Sequence, residues 1–289
     1  MIPGPFVYHR PSSVDEAIKI LADFGDDARP LAGGHSLIPM MKLRMATPEH
    51  LVDLGALAAL KDIKEDGKDI VIGAMVTQTQ LQASSLLSSK VPLLKEASHL
   101  IADPQIRYVG TIGGNVANGD PGNDMPAVMQ CLDASFVLTG KSGERQVKAR
   151  EFYNGAYDTA LQTGEILTAV RIPTPPAGHG FAYEKLKRKI GDYATAAAGV
   201  MLTMKDGKVD SCSIALTNVA DTPLFAKDAG ELVVGTTCDD ATVKKAADAA
   251  QKITSPAGDG RGPPEYRAAM AAVMVARALA AARTRAKGV

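Results

Sequence analysis

Apolar side chains recur at helical spacing at Val14, Ala17, Ile18 and Leu21, directly after Ser13-Val14-Asp15-Glu16, which has capping-box form. This predicts a first helix running to Phe24, stopped by Gly25. A strand over residues 29–31, a helix or turn over 37–44 and a strand over 51–54 follow, so the first ~55 residues read as a small α/β subdomain. Then the pattern changes. Residues 63–65 and 70–72 flank Asp66-Gly67-Lys68, an Asp-Gly hairpin signal, and residues 136–138 and 147–149 bracket Lys141-Ser142-Gly143 in the same way. An antiparallel sheet is expected there, completed by a strand over 166–172. Between the hairpins, residues 79–87 and 92–101 read as helices, and Asp103-Pro104-Gln105-Ile106-Arg107 as a connecting segment.

Residues 173–180, Pro-Thr-Pro-Pro-Ala-Gly-His-Gly, form the clearest linker, since proline and glycine let neither regular structure pass. The expected division is 1–177, itself split near residue 55, and 178–289. Beyond the linker come strands with an Asp206-Gly207 turn, then helices over 239–253 and 265–287. The last helix carries Met270, Val273, Ala276 and Leu279-Ala280 on one side, with Arg277, Arg283 and Arg285 outside that stripe.

Composition narrows the class. The 289 residues carry 32 Lys+Arg and 32 Asp+Glu, so no basic excess argues for nucleic acid and no acidic excess for disorder. No apolar run approaches the ~20 residues that span a bilayer, and the first residues lack the regions of a signal peptide, which reads as a cytoplasmic protein. Cys131, Cys212 and Cys238 are widely spaced with no Cys-x-x-Cys, so buried free thiols are expected rather than disulfides, zinc or an iron–sulfur cluster.

The candidate chemistry lies in two glycine turns, Ala32-Gly33-Gly34-His35-Ser36 and Thr111-Ile112-Gly113-Gly114-Asn115. A Gly-Gly pair removes two Cβ atoms, so consecutive N–H groups can line one concavity and approach an anionic oxygen closely. Either turn alone is ordinary bend chemistry; the pair suggests two sides of a pyrophosphate clamp. Neither has the form Gly-x-Gly-x-x-Gly, and no P-loop occurs. His35 reads as a loop residue contacting a ligand through its backbone, and Met40, Met41 and Met45 as core.

Those two turns with their flanks (through Pro39, and with Asn118, Gly119, Asp120 and Asp124), together with residues 185–195, resemble the flavin subunits of the molybdenum hydroxylase family, and within it the branch that oxidises carbon monoxide. The likeness runs from Tyr8-His9-Arg10-Pro11 to Ser255-Pro256-Ala257 and Gly260-Arg261-Gly262. It implies an α+β chain, with a two-subdomain FAD-binding region of the vanillyl-alcohol-oxidase-like (PCMH) type and a C-terminal α/β domain of antiparallel strands and helices. It also implies an FAD pyrophosphate on residues 32–36 and 111–115, with Asp124 on the cofactor's sugar-alcohol chain. Capping of the following helix is the alternative for Asp124. Lys185 and Tyr193 match positions near the isoalloxazine ring, one able to stabilise the negative charge of reduced flavin and the other to cover the ring. The alternatives are a solvated charge run for Lys185 and core packing for Tyr193. The implied partners are a small iron–sulfur subunit and a large molybdenum subunit in a dimer of heterotrimers. Molybdenum–copper and [2Fe–2S] centres lie on those partners, a quinone or other carrier accepts the electrons, and the inner face of the membrane is left open as a location. A sibling hydroxylase acting on aldehydes or N-heterocycles, a self-contained flavin oxidase and a flavin-free scaffold remain as alternatives.

Overall fold

The Ser13 hydroxyl accepts the Glu16 N–H and so opens α1 (Val14–Phe24), while the Glu16 carboxylate turns back to Ser12 instead of closing the box on Ser13. Buried Ala17, Ile18 and Leu21 seat α1 on a parallel sheet of β1 (Val7–His9), β2 (Ala28–Leu31) and β3 (His50–Asp53), in the order β1-β3-β2. The first glycine turn leaves the end of β2 and enters α2 (Leu37–Lys42). The structure of the protein is a computed structural model that describes residues 1–286.

The second sheet is antiparallel and built from two hairpins, β4 (Ile63–Asp66) with β5 (Asp69–Gly73), and β6 (Ser135–Gly140) with β7 (Gly143–Lys148). After a small hairpin of β8 (Tyr153–Gly155) and β9 (Asp158–Thr159), β10 (Ile166–Pro173) enters between them, giving the order β4-β5-β10-β6-β7. The strand expected to finish the sheet is therefore its centre. Its buried Leu167, Val170 and Ile172 explain why a late strand takes the most protected position.

Six helices separate β5 from β6 in sequence: α3 (Gln78–Ala83), α4 (Ser85–Lys90), α5 (Pro92–Leu100), α6 (Pro104–Val109), α7 (Ile112–Ala117) and α8 (Asp124–Cys131). Three of these correct the sequence reading. The helix expected over 79–87 breaks at Ser84, whose hydroxyl accepts the Leu87 N–H and starts a second helix, the competition with the main chain that serine offers. The expected connection at 103–107 is helical, capped by Asp103 and begun by Pro104, the position where proline costs no hydrogen bond. The second glycine turn is the first turn of α7, with Thr111 as its cap.

The C-terminal sheet contains β11 (Gly180–Leu186), β12 (Ala196–Lys205), β13 (Lys208–Thr217) and β14 (Leu224–Phe225), all antiparallel and in sequence order. Helices α9 (Lys227–Glu231), α10 (Asp240–Lys252) and α11 (Pro264–Arg285) complete the chain. Period-two alternation gives the sheet two apolar faces. Ala196, Ala198, Val200 and Leu202 meet α10 and α11, while Ala197 and Met201 face the core that holds α8 and the second sheet. All eight residues of α8 are buried, between the C-terminal sheet and helices α5 and α7.

The buried stripe of α11 is Ala271, Met274, Val275, Ala278, Leu279 and Ala282, rotated from the expected one; Met270, Val273 and Ala276 are half-buried. In an alanine-rich helix the contrast between faces is too weak to fix its phase. Arg267, on the same stripe, is buried as well. The expected end of this helix at Lys287 lies outside the described residues. Of the three methionines expected in the core, Met41 is buried, Met40 half-buried and Met45 exposed.

Arg145 of β7 grips Glu165 through two hydrogen bonds of 2.7 and 2.8 Å, and Gln162 N–H adds a third to the same carboxylate. The Arg145 bonds hold the Glu165 carboxyl below its ordinary range against the opposing effect of burial. A lowered folded value means that this stabilisation is complete above the ordinary carboxylate range and lost as pH falls through the lowered value. The urea midpoints of wild type and Glu165→Gln should therefore differ at pH 7 and converge on acidification below about 4.3. Met129→Ala, in the middle of α8, should cost about 2–5 kcal/mol by urea denaturation, since a helix covered on both sides cannot collapse onto the gap.

Candidate functional site

A cavity of about 640 Å³, within the range of small-molecule sites, opens where the first glycine turn, α7, the start of α8, β11 and the loop after it converge. Ala32, Gly33, Gly34, His35, Ser36, Thr111, Gly113, Gly114, Asn115, Asp124, Lys185 and Tyr193 all line it. Ile112 does not: its side chain is fully buried in the core and its N–H is donated to the Val76 carbonyl.

The two glycine pairs do different work. In the first, a Cβ on Gly33 would stand 2.6 Å from the Val109 carbonyl oxygen, and Gly34 has φ +74°, which L side chains rarely adopt. Among the described residues, no protein acceptor takes the N–H of Gly33, Gly34, His35 or Ser36. In the second pair, Gly113 N–H donates to the Ala74 carbonyl and Gly114 N–H to the Thr111 hydroxyl. A Cβ on Gly113 would lie 2.5 Å from that of Ala74, so this pair is needed for close packing of α7 and offers no free main-chain donor at either glycine. The polar groups that α7 does turn loose are side chains. Asn115 Oδ1 and Asn118 Nδ2 are buried on the cavity wall without a hydrogen-bond partner among the described residues, an arrangement that folded proteins rarely leave unless something else satisfies it.

Asp124 does not cap α8; Asn123 precedes the helix, and Asp124 is its first residue, where a negative charge is favoured by the helix dipole. Its Oδ2 accepts from Lys185 Nζ at 2.7 Å and its Oδ1 from the Tyr183 hydroxyl at 2.6 Å. Tyr183 and Lys185 lie two apart on β11 and so project from one face of it. Their side chains meet Asp124 in a buried pair, with 1% of Lys185 and 5% of Asp124 exposed, and Lys185 also reaches the Leu100 carbonyl. The charge run at residues 185–189 is thus not a solvated face at its first residue. Burial and the Asp124 charge push the Tyr183 hydroxyl far above its ordinary value, so it stays a donor.

Tyr193 is not core. It lies 42% exposed at the cavity mouth, its ring against Gly122 and its hydroxyl donating to Asp120 Oδ2 at 3.0 Å. Burial, then Asp120, raises its hydroxyl well above the ordinary tyrosine range. His35 is exposed in the wall near Gly110, with no side-chain hydrogen bond among the described residues. The sequence reading missed Tyr157, Glu165 and Asp192, which also line the cavity. Tyr157 sits at φ +60° in the tip between β8 and β9, a conformation no sequence signal announced, and Asp192 stood unnoticed beside Tyr193.

Asp124→Asn should cost about 3–5 kcal/mol in urea denaturation, because it strands the Lys185 charge in a buried site. Tyr183→Phe should cost about 2–4 kcal/mol, since it removes both the bond to the Asp124 carboxylate and the 3.0 Å bond with the Thr217 hydroxyl. Pairing Asp124→Asn with Lys185→Met should recover part of the loss, a coupling that a double-mutant cycle reads directly.

Known proteins resemble this chain over nearly its whole length. The family model described as the FAD binding domain in molybdopterin dehydrogenase matches residues 4–175, and that of the CO dehydrogenase flavoprotein C-terminal domain matches residues 181–282. The carbon monoxide dehydrogenase medium chain of Afipia carboxidovorans is 63% identical over 99% of this chain and 100% of its own length. That of Hydrogenophaga pseudoflava is 48% identical over 99% of each. The solved structure of reconstituted CO dehydrogenase from Oligotropha carboxidovorans superposes with a TM-score of 0.98 at 63% identity, covering 99% of this chain and 100% of that one. The chain belongs to the FAD-binding flavoprotein family of the molybdopterin dehydrogenases.

Proposed function

We propose that this chain is the FAD-carrying subunit of an aerobic carbon monoxide dehydrogenase. Carbon monoxide and water become carbon dioxide, two protons and two electrons on a partner chain, and this subunit passes the electrons on to a quinone or other acceptor. The observation that carries the reading is the row of four N–H groups at Gly33–Ser36 with no acceptor among the described residues, in a cavity whose wall also holds the Asn115 and Asn118 amides. Those donors suit the oxygens of a pyrophosphate. The relatives named above as medium chains support the choice of enzyme.

FAD bound in this cavity supplies a carrier able to take one or two electrons at a time. The chain's own residues would hold it by unequal means. Gly33, Gly34, His35 and Ser36 supply main-chain donors beside Ala32. Thr111, whose oxygen already accepts from Gly114, keeps its own proton to give; Gly113 lets α7 approach the wall closely. Asn115 and Asn118 offer an acceptor and a donor. Asp124 retains lone pairs for the hydroxyls of the sugar-alcohol chain, and Lys185 places a positive charge in the wall. Tyr193 covers the mouth with a flat apolar face.

The metal centres fall to partners in this reading. Burial pushes the Cys131 thiol up to about 12 and raises Cys212 and Cys238 as well, the opposite of what a thiolate ligand needs. Among the described residues no three His, Cys, Asp or Glu side chains gather as a metal site, and no helix is long and apolar enough to cross a membrane. We therefore place the chain in a complex with a large molybdenum subunit and a small iron–sulfur subunit, as a dimer of heterotrimers. It works in the cytoplasm and gives its electrons to a quinone or other carrier, with the inner membrane face as one place for that exchange. The division at residue 177 belongs to the same proposal, with the first part carrying the pyrophosphate and the second supplying Lys185 and Tyr193.

Purification of the native complex tests this, with flavin absorption bands and three kinds of subunit as the expected result. A chain active on carbon monoxide by itself, or a complete complex without flavin, would overturn it. Within the complex, Gly33→Val should lower bound flavin at least about tenfold by visible absorption, since the added side chain enters the Val109 backbone and shifts the free donors.

A further inference from the structure

The loop between β11 and β12, residues 187–195, carries Gly191, Asp192 and Tyr193 into the cavity mouth, and it is tied from outside by the loop between α10 and α11. Arg188 meets Asp192 at 2.8 Å and donates to the Gly260 carbonyl at 2.8 Å. Arg261 reaches Asp192 at 3.5 Å on one side and Asp259 at 2.5 Å on the other, and its guanidinium carbon stands 5.6 Å from the centre of the Tyr193 ring. Arg267, buried at the start of α11, adds bonds to the carbonyls of Thr195 and Ala257 and an ion pair of 3.5 Å with Asp259. Three cations thus share two carboxylates. Arg261 Nε is enclosed without any acceptor, so this side chain is held by its place between Asp192, Asp259 and the Tyr193 ring and not by full use of its donors.

Arg261 does not line the cavity, yet the residues it touches do. We propose that Arg261 is a positioning residue for the mouth of the dinucleotide site: by holding Asp192 and the face of Tyr193, it lets the loop 254–262 control how long the cofactor is retained. The inference rests on the reading of the cavity as an FAD site and adds a region, residues 254–262, that supplies no lining residue of its own. The hold combines an ion pair in which only 8% of the Asp192 side chain is exposed with a cation–π contact.

The test uses the assembled complex, with flavin release followed by the rise in free-flavin fluorescence after dilution and the thermal midpoint measured in parallel. Arg261→Gln should speed release roughly three- to tenfold with little change in midpoint. Arg261→Lys, which keeps the charge but not the planar group, should restore part of the retention. An unchanged release rate in Arg261→Gln would overturn the proposal, and so would faster release that only tracks a lowered midpoint. Retained flavin with unaltered release defeats this inference alone; a wild-type complex that holds no flavin defeats it together with the function proposed for the cavity.

Discussion

A carboxylate buried at the head of a helix that has no face to water must find its partners inside the protein. Asp124 finds them on one strand, where Tyr183 and Lys185 stand two residues apart and take one oxygen each. A buried ion pair of this kind is at best even in stability against an apolar replacement, because both ions lose their hydration. What it does fix is register. Moving β11 by a single residue would turn Tyr183 and Lys185 away from Asp124 and bury the charge alone. Apolar packing and the bonds of Gln130 and Cys131 to the Pro223 and Ser213 carbonyls hold the C-terminal sheet on α8, and this pairing sets the register in which β11 reaches the cavity.

The elements with strong local signals could be read directly. Ser13 and Gly25 bounded α1, the Asp66-Gly67 and Asp206-Gly207 turns marked their hairpins, and the helix expected over 239–253 is α10, whose cap is Asp239. The losses came where the deciding contact was distant or the contrast weak. The central place of β10 depends on two hairpins some thirty to a hundred residues away, and the phase of α11 depends on small differences among alanines.

At the site, a Gly-Gly pair has two uses that look identical in sequence. Glycine releases main-chain donors at Gly33-Gly34 and allows α7 to touch Ala74 at Gly113-Gly114; only the neighbours in space tell these apart. Asp124 and Lys185 were recognised separately, each for its own reason, but 61 residues of separation hid the bond between them. Arg261 was visible only as part of a glycine-flanked motif, since its partners Asp192 and Tyr193 lie on another loop.

The two-faced C-terminal sheet has a consequence for how this chain can change. Two family models meet near residue 180, yet β12 gives alternate side chains to two cores at once, so neither part has a finished interior without the other. A cut at the linker would bare the side of α8 and one whole face of β11–β13 to water. Heat or denaturant should find no seam there, and evolution could not exchange one part without refitting the other. Two family models end and begin near residue 180, while the shared cores join both parts into one unit of folding.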